Sequence, residues 1–88
     1  MTGTVIYTSK AICLYHQISN DTLSDMVSWG IATPSGSTLK SWLFSQDDYD
    51  RIGSASRFKK DLDINVPGAA MALQLLEELD KVRKELQH

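Results

Sequence analysis

Apolar runs and helical stripes divide the first thirty residues into a short strand and two helices. The run Val5-Ile6-Tyr7 is β-branched and aromatic, which predicts a strand. Either Thr8 or Ser9 then offers an N-cap oxygen to the free amides at the start of a helix. That helix is predicted over residues 10–16, about two turns, with Ile12 on its inward side.

A second helix is predicted over residues 21–29, with Ser19 or Asn20 as its N-cap. Its apolar residues have the i, i+3, i+4 spacing of one buried stripe, at Leu23, Met26 and Val27. Gly30 is expected to end the helix in a left-handed conformation, because glycine pays no Cβ penalty there. Two short helices joined by a tight turn predict a helix-turn-helix.

The segment after the second helix has the pattern of a hairpin. Residues 31–33 and 39–44 are candidate strands, and the segment 34–37 between them is rich in turn-forming residues. After a helix-turn-helix, such a hairpin is a wing. Trp42 and Phe44 lie in step on one candidate strand, so both are expected to face the core.

Two further helices are predicted in the second half of the chain. Ser45 and Asp48 have the spacing of a capping box, with aspartate in place of glutamate. The helix that follows carries one apolar face, formed by Tyr49, Ile52, Ala55, Phe58 and Leu62. Residues 63–65 interrupt it, and Pro67 near the start of the last helix occupies a position where proline is tolerated.

The last helix combines two apolar patterns. One face suits the domain core and consists of Ala69, Ala72, Leu73 and Leu76. A second row steps by 4, 3 and 4 residues, which is typical of a coiled-coil seam, and consists of Leu75, Leu79, Val82 and Leu86. We expect Glu77 to pair with Lys81, and Asp80 with Lys84. The seam predicts a homodimer, and the alternative is an amphipathic tail that packs on its own domain.

These elements predict a mainly α-helical winged helix-turn-helix with a long C-terminal dimerisation helix. At 88 residues the chain has the size of one domain, which we divide into residues 1–66 and a helix over 67–88 that continues into the dimer seam. Its N-terminal segment lacks the basic and apolar regions of a signal peptide, and no apolar run approaches the ~20 residues of a membrane span. We therefore expect a cytoplasmic protein.

Residues suited to catalysis or metal binding are few and scattered. Only Cys13, His16 and His88 offer thiol or imidazole ligands, and their spacing predicts no zinc site. Cys13 is expected to be a buried, inert thiol, and His16 a favourable charge at a helix C-terminus. A single cysteine excludes an internal disulfide. We therefore expect neither an enzyme nor a protein that needs a cofactor or metal.

Charge distinguishes between nucleic acid and protein as the partner. The net charge is −2, whereas DNA binding relies on a cationic surface. The predicted recognition helix, residues 21–29, has no basic or amide side chain to read bases and carries two outward carboxylates. The basic clusters lie elsewhere, at 57–60 and 81–84. Direct DNA binding is therefore disfavoured, although a DNA-binding transcription regulator that uses the wing and these clusters is the alternative function.

The same acidic helix suits a basic protein partner. Complementary charge would guide the encounter and an aromatic side chain would supply the anchor. The predicted contact residues are Asp21, Asp25 and Trp29, together with Asp47, Asp48 and Asp50. Trp29 has an alternative interpretation, in which it packs in the core against the wing. The three aspartates at 47–50 also have one, because carboxylates at a helix start often serve capping and solubility.

The order of apolar and turn residues resembles the CbpM family of chaperone modulators. The similarity runs from about Thr8 to the C-terminus, on Ile12-Cys13-Leu14, Ile18-Ser19, Leu23, Val27, Gly30, Pro34, Trp42-Leu43-Phe44, Arg57-Phe58, Val66-Pro67-Gly68-Ala69 and Ala72-Leu73. It differs in a shorter C-terminal helix and in little similarity before Thr8. The resemblance implies a MerR-like dimer that binds the J-domain of the DnaJ-like co-chaperone CbpA. Family members block the cooperation of CbpA with DnaK and reduce its DNA binding, and the basic second helix of the J-domain would face the acidic modulator.

Overall fold

The computed structural model describes residues 5–87 and contains four helices and two short strands. In chain order they are β1 (Ile6–Thr8), α1 (Ser9–His16), α2 (Asn20–Ser28), β2 (Leu43–Ser45), α3 (Gln46–Leu62) and α4 (Val66–Leu86). The mainly helical class and the small antiparallel sheet are confirmed. No helix within residues 5–87 is both long and apolar enough to cross a membrane.

Side-chain caps start each helix where polar residues precede an apolar stripe. Thr8 and Ser19 accept hydrogen bonds from backbone amides at the starts of α1 and α2, which decides the two alternatives left by the sequence. The predicted capping box of α3 is present, since Ser45 and Asp48 each accept from the other's amide. Asn65 caps α4 by accepting from the amide of Gly68 at 2.9 Å.

The predicted pairing of the sheet is wrong. β2 pairs antiparallel with β1, with Tyr7 opposite Phe44, and not with residues 31–33. Residues Ile31 and Ala32 are buried in the core at 1% exposure, so their side chains serve packing. The segment 39–42 is no strand because the amides of residues 41 and 42 bond back to the carbonyl of residue 38 in a turn. One bridge, between Ser35 and Leu43, joins the two arms of the loop.

The core lies where α1, α2, α3 and α4 meet the inner face of the sheet. Its largest fully buried side chains are Phe44, Ile12, Leu23, Met26, Ile31 and Ile52. Trp42 is partly buried and packs edge-on against Phe44, with ring centroids 6.0 Å apart. Two predicted core residues are wrong, because Leu62 and Leu76 are 58% and 48% exposed. Both lie where a helix has already passed the end of the core.

Helix α4 changes its environment along its length. Val66, Ala69 and Leu73 are buried, whereas every described residue from 74 to 87 is exposed. The four seam leucine and valine side chains are 46–80% exposed, so the domain itself does not cover them. Asp80 and Lys84 form the predicted pair at 3.4 Å. Glu77 pairs with Arg51 of α3 and not with Lys81, because tertiary packing brings Arg51 alongside α4.

Candidate functional site

The exposed side of α2 carries the acidic residues predicted from the sequence. Asp21 and Asp25 are exposed and one turn apart, whereas Leu23 and Met26 on the opposite side are fully buried. No basic residue lies within Asn20–Ser28, so every charged side chain on the exposed side of the helix is acidic. We refer to Asp21, Asp25 and Trp29 together as the α2 face.

Trp29 lies at the C-terminal end of the α2 face and is 55% exposed. The interpretation that it packs in the core against the wing is therefore wrong. The backbone around it is fixed, because the amides of Gly30 and Ile31 bond to the carbonyls of Val27 and Met26 at 3.1 and 2.9 Å. Gly30 has a φ of 77°, as the sequence predicted, and closes this C-terminal motif. Trp29 is thus an exposed aromatic side chain on a well-defined helix end.

A groove of about 370 Å³ runs from Trp29 to helix α4. Its floor and walls are formed by Gly30, Ile31, Arg51, Pro67, Ala70, Met71, Gln74 and Glu77. Met71 is 65% exposed and adds a second large apolar side chain beside Trp29. The sequence reasoning missed this groove. The available signal was that Met71 lies four residues before Leu75 and extends the seam row by one turn.

Arg51 forms one wall of the groove and connects its parts. Its Nε donates to the carbonyl oxygen of Ile31 at 2.7 Å, and its guanidinium pairs with the carboxylate of Glu77. The arginine thereby holds the segment that follows Trp29 against α3 and α4. Its charge is compensated locally, so it contributes little net positive charge to the groove.

The three carboxylates predicted at the start of α3 differ in their exposure. Asp48 is 7% exposed, and its oxygens accept from the amides of Thr33 and Ser45 at 3.2 Å each. It is therefore a structural carboxylate, and its predicted role in partner contact is wrong. Asp47 and Asp50 are exposed. Asp47 lies beside the sheet, whereas α2 packs against α1 and α4.

Cys13 and His16 have structural environments. Cys13 is partly buried, its thiol lies 3.4 Å from Asn20 Oδ1, and burial raises the pKa of that thiol. His16 packs against Tyr49, with ring centroids 4.3 Å apart. Burial lowers the pKa of His16, opposed by a hydrogen bond to the Tyr49 backbone and by the charge of Asp50. His88 lies outside the described residues, and residues 5–87 contain no group of three potential metal ligands.

A cleft of about 770 Å³ lies beside the C-terminal ends of α1 and α3. Residues from the ends of α1 and α3 line it, including His16, Ser56, Arg57, Lys59 and Lys60. Lys59 and Lys60 belong to the last turn of α3, where cations are favoured by the helix dipole. We refer to this depression as the cationic cleft. None of the three residues of the α2 face lines this cleft.

Comparison of the sequence with known proteins finds one matching family model and several similar proteins that share one name. A family model described as MerR HTH family regulatory protein matches residues 7–88. The chaperone modulatory protein CbpM of Citrobacter koseri is 35% identical over 82 residues, which is 93% of this chain and 81% of the relative. The protein of the same name from Pseudomonas entomophila is 32% identical over 76 residues, covering 86% and 75%. That from Salmonella arizonae is 30% identical over 82 residues, covering 93% and 81%.

Proposed function

Because the chain belongs to the CbpM family of chaperone modulatory proteins, with a MerR-type helix-turn-helix, we propose that it binds the J-domain of a DnaJ-like co-chaperone of the CbpA type. In this proposal it inhibits the co-chaperone and DNA-binding activities of that partner. The names of its relatives support a chaperone-modulating role and point to a protein without catalytic activity. These names do not state three parts of the proposal, which are ours: that the partner is a J-domain, that binding inhibits it, and that the protein is cytoplasmic.

The α2 face is the observation that carries the proposal. In a DNA-binding relative this helix would enter the major groove, but here its exposed carboxylates would lie against phosphates of the same charge. A cationic helix of a partner protein would instead be attracted to these carboxylates, and such complementary charge raises the rate of encounter and aligns the partner. Trp29, exposed at the end of the same face, offers the aromatic anchor that commonly dominates binding energy.

Inhibition follows from occlusion. The resemblance noted above implies that the partner's J-domain presents a basic helix to DnaK. A modulator bound to that helix through Asp21, Asp25 and Trp29 would compete with DnaK for the same surface and would need no catalysis, metal or cofactor. Asp47 and Asp50 are exposed at the start of α3 and would contribute at longer range.

We further propose that the protein is a homodimer joined through the distal half of α4. The seam side chains of Leu75, Leu79, Val82 and Leu86 are exposed in one row. Such a row normally needs a second helix to cover it. In this arrangement residues 1–66 form the winged helix-turn-helix domain, and the helix over 67–88 continues from that domain into the dimer seam. Sedimentation equilibrium of the unaltered protein and of the Leu79→Asp variant tests it. A dimer that becomes a monomer in the variant supports the proposal, and equal masses of the two proteins contradict it.

The co-chaperone interaction is tested by reversing one charge on the α2 face. Asp25→Lys should weaken binding to the J-domain by roughly 1 to 3 kcal/mol, measured by calorimetry, if the carboxylate is paired and desolvated. Asp61→Lys makes the same charge change on an exposed residue near the end of α3 and serves as the matched control. Equal affinities of the two variants would contradict the assignment of the α2 face.

The alternative is a MerR-type transcription regulator. It predicts retention of specific duplex DNA in a gel-shift assay, with an affinity that falls steeply as the salt concentration rises. Specific retention without any J-domain binding would replace the proposed function by this alternative.

A further inference from the structure

We propose that the groove between Trp29 and Met71 is the pocket that receives an apolar side chain from the cationic helix of the J-domain. This inference rests on the proposed function and deepens it, because it extends the binding surface from α2 onto the N-terminal half of α4. The occupant is therefore a basic amphipathic helix, which inserts an apolar residue while its charged residues lie along α2.

The groove has the chemical character of an anchor pocket. Trp29 and Met71 are 55% and 65% exposed, so two large apolar side chains flank one depression without covering it. Its volume of about 370 Å³ lies at the small end of the range for binding pockets. Methionine adapts to an incoming side chain, and tryptophan supplies a rigid contact area. The groove therefore suits one or two inserted side chains.

The rigid wall of the groove lowers the cost of binding. The C-terminal motif of α2 fixes the backbone at Gly30 and Ile31, and Arg51 holds the carbonyl of Ile31. A pocket whose backbone is already ordered loses little conformational entropy when its ligand enters. Arg51 acts here as a positioning residue, since it lies in the wall and fixes the segment that follows Trp29.

Charge favours a cationic helix over a second copy of this chain as the occupant. The groove continues into the α2 face, whose charged side chains are Asp21 and Asp25, and its own cation is paired with Glu77. The seam farther along α4 differs, because both acids and bases flank it, such as Glu78 and Arg83. A surface flanked by both signs suits an identical helix, whereas a surface flanked by carboxylates suits a basic one.

Truncation of Met71 tests the groove directly. Met71→Ala should weaken J-domain binding roughly 5- to 30-fold, the range for losing a well-packed anchor contact. Leu14→Ala is the matched control, because Leu14 is an apolar side chain of similar exposure, 72%, on α1. It should leave the affinity unchanged. Both side chains are exposed, so neither variant should affect folding.

Fluorescence supplies an independent readout. The chain has two tryptophans, so Trp42→Phe leaves Trp29 as the only one. In that background, adding the J-domain should shift the emission of Trp29 to shorter wavelength and protect it from quenching by acrylamide.

The outcomes of these experiments can be told apart. If Asp25→Lys weakens binding while Met71→Ala does not and Trp29 stays accessible to acrylamide, the groove is excluded and the proposed function stands. If neither variant weakens binding, both the α2 face and the groove are excluded as the binding surface. If the unaltered protein does not bind the J-domain at all, the proposed function itself fails. If Met71→Ala instead makes a dimer monomeric without affecting J-domain binding, the occupant is a second copy and the inference is wrong.

Discussion

Helix α2 and the first turns of α3 both carry aspartates, but the fold uses the two sets differently. On α2, Asp21 and Asp25 are exposed on a face without basic residues. On α3, Asp48 is buried and holds two backbone amides, one of them from the loop after α2. A carboxylate that satisfies buried amides contributes to folding, whereas an exposed one remains available to a partner. Residue type alone does not distinguish the two roles.

The largest expected effect is on stability and separates the two sets of aspartates. Asp48→Ala should lower the free energy of unfolding by about 1–3 kcal/mol, because the amides of Ser45 and Thr33 lose their acceptor. Asp25→Ala should change it by less than about 0.5 kcal/mol, as is usual for an exposed residue. Urea denaturation of both variants measures the difference. A similar loss in both would mean that Asp25 also has a structural role.

Salt should distinguish the same two roles in binding. Exposed charges are screened as the Debye length falls from about 30 Å at 0.01 M to about 3 Å at 1 M salt. J-domain affinity, measured by calorimetry over that range, should therefore decrease. In Asp25→Ala the decrease should be smaller, because one of the charges responsible is missing. An affinity independent of salt would indicate that the contact is apolar and that the acidic side chains are not involved.

The smallest expected effect concerns His16, next to the cationic cleft. Burial lowers the pKa of His16 below its ordinary 6.5, so between these two values the unfolded chain binds more protons than the folded one. The stability contributed by the neutral imidazole is fully present above pH 6.5 and is lost as the pH falls through 6.5 toward the folded pKa. Thermal unfolding between about pH 7.5 and pH 5 should show this loss, and His16→Gln should reduce it. Identical pH profiles of the unaltered protein and the His16→Gln variant would contradict the assignment of this pH dependence to His16.

Local signals in the sequence predicted much of the fold. The capping box of Ser45 and Asp48, the left-handed Gly30 and the buried Leu23 and Met26 depend on residues within a few positions of each other. Such short-range patterns report helix ends and faces directly. The α2 face followed from them, because helical spacing places Asp21 and Asp25 opposite the buried stripe.

The remaining features depend on contacts between distant parts of the chain. A three-residue strand carries too little alternation to identify its partner. The sequence therefore predicts that the strand over 39–44 pairs with residues 31–33, whereas β2 pairs with β1. Lys81 lies one turn from Glu77 on the same helix, yet Glu77 forms its ion pair with Arg51 of α3. The groove beside Trp29 exists only where α2, α3 and α4 meet. The seam row indicates from the sequence that Met71 is exposed, but no pattern within one helix reveals that Trp29 and Arg51 lie beside it.

Mapping J-domain binding onto the chain tests the central claim most directly. In NMR spectra of the labelled protein, addition of the J-domain should shift the amide signals of Asp21, Asp25 and Trp29 while leaving those of Arg57, Lys59 and Lys60 unchanged. This result would place a cationic protein on the helix that a DNA-binding relative uses for DNA. Shifts confined to the cationic cleft, or shifts at α2 with duplex DNA and none with the J-domain, would contradict it.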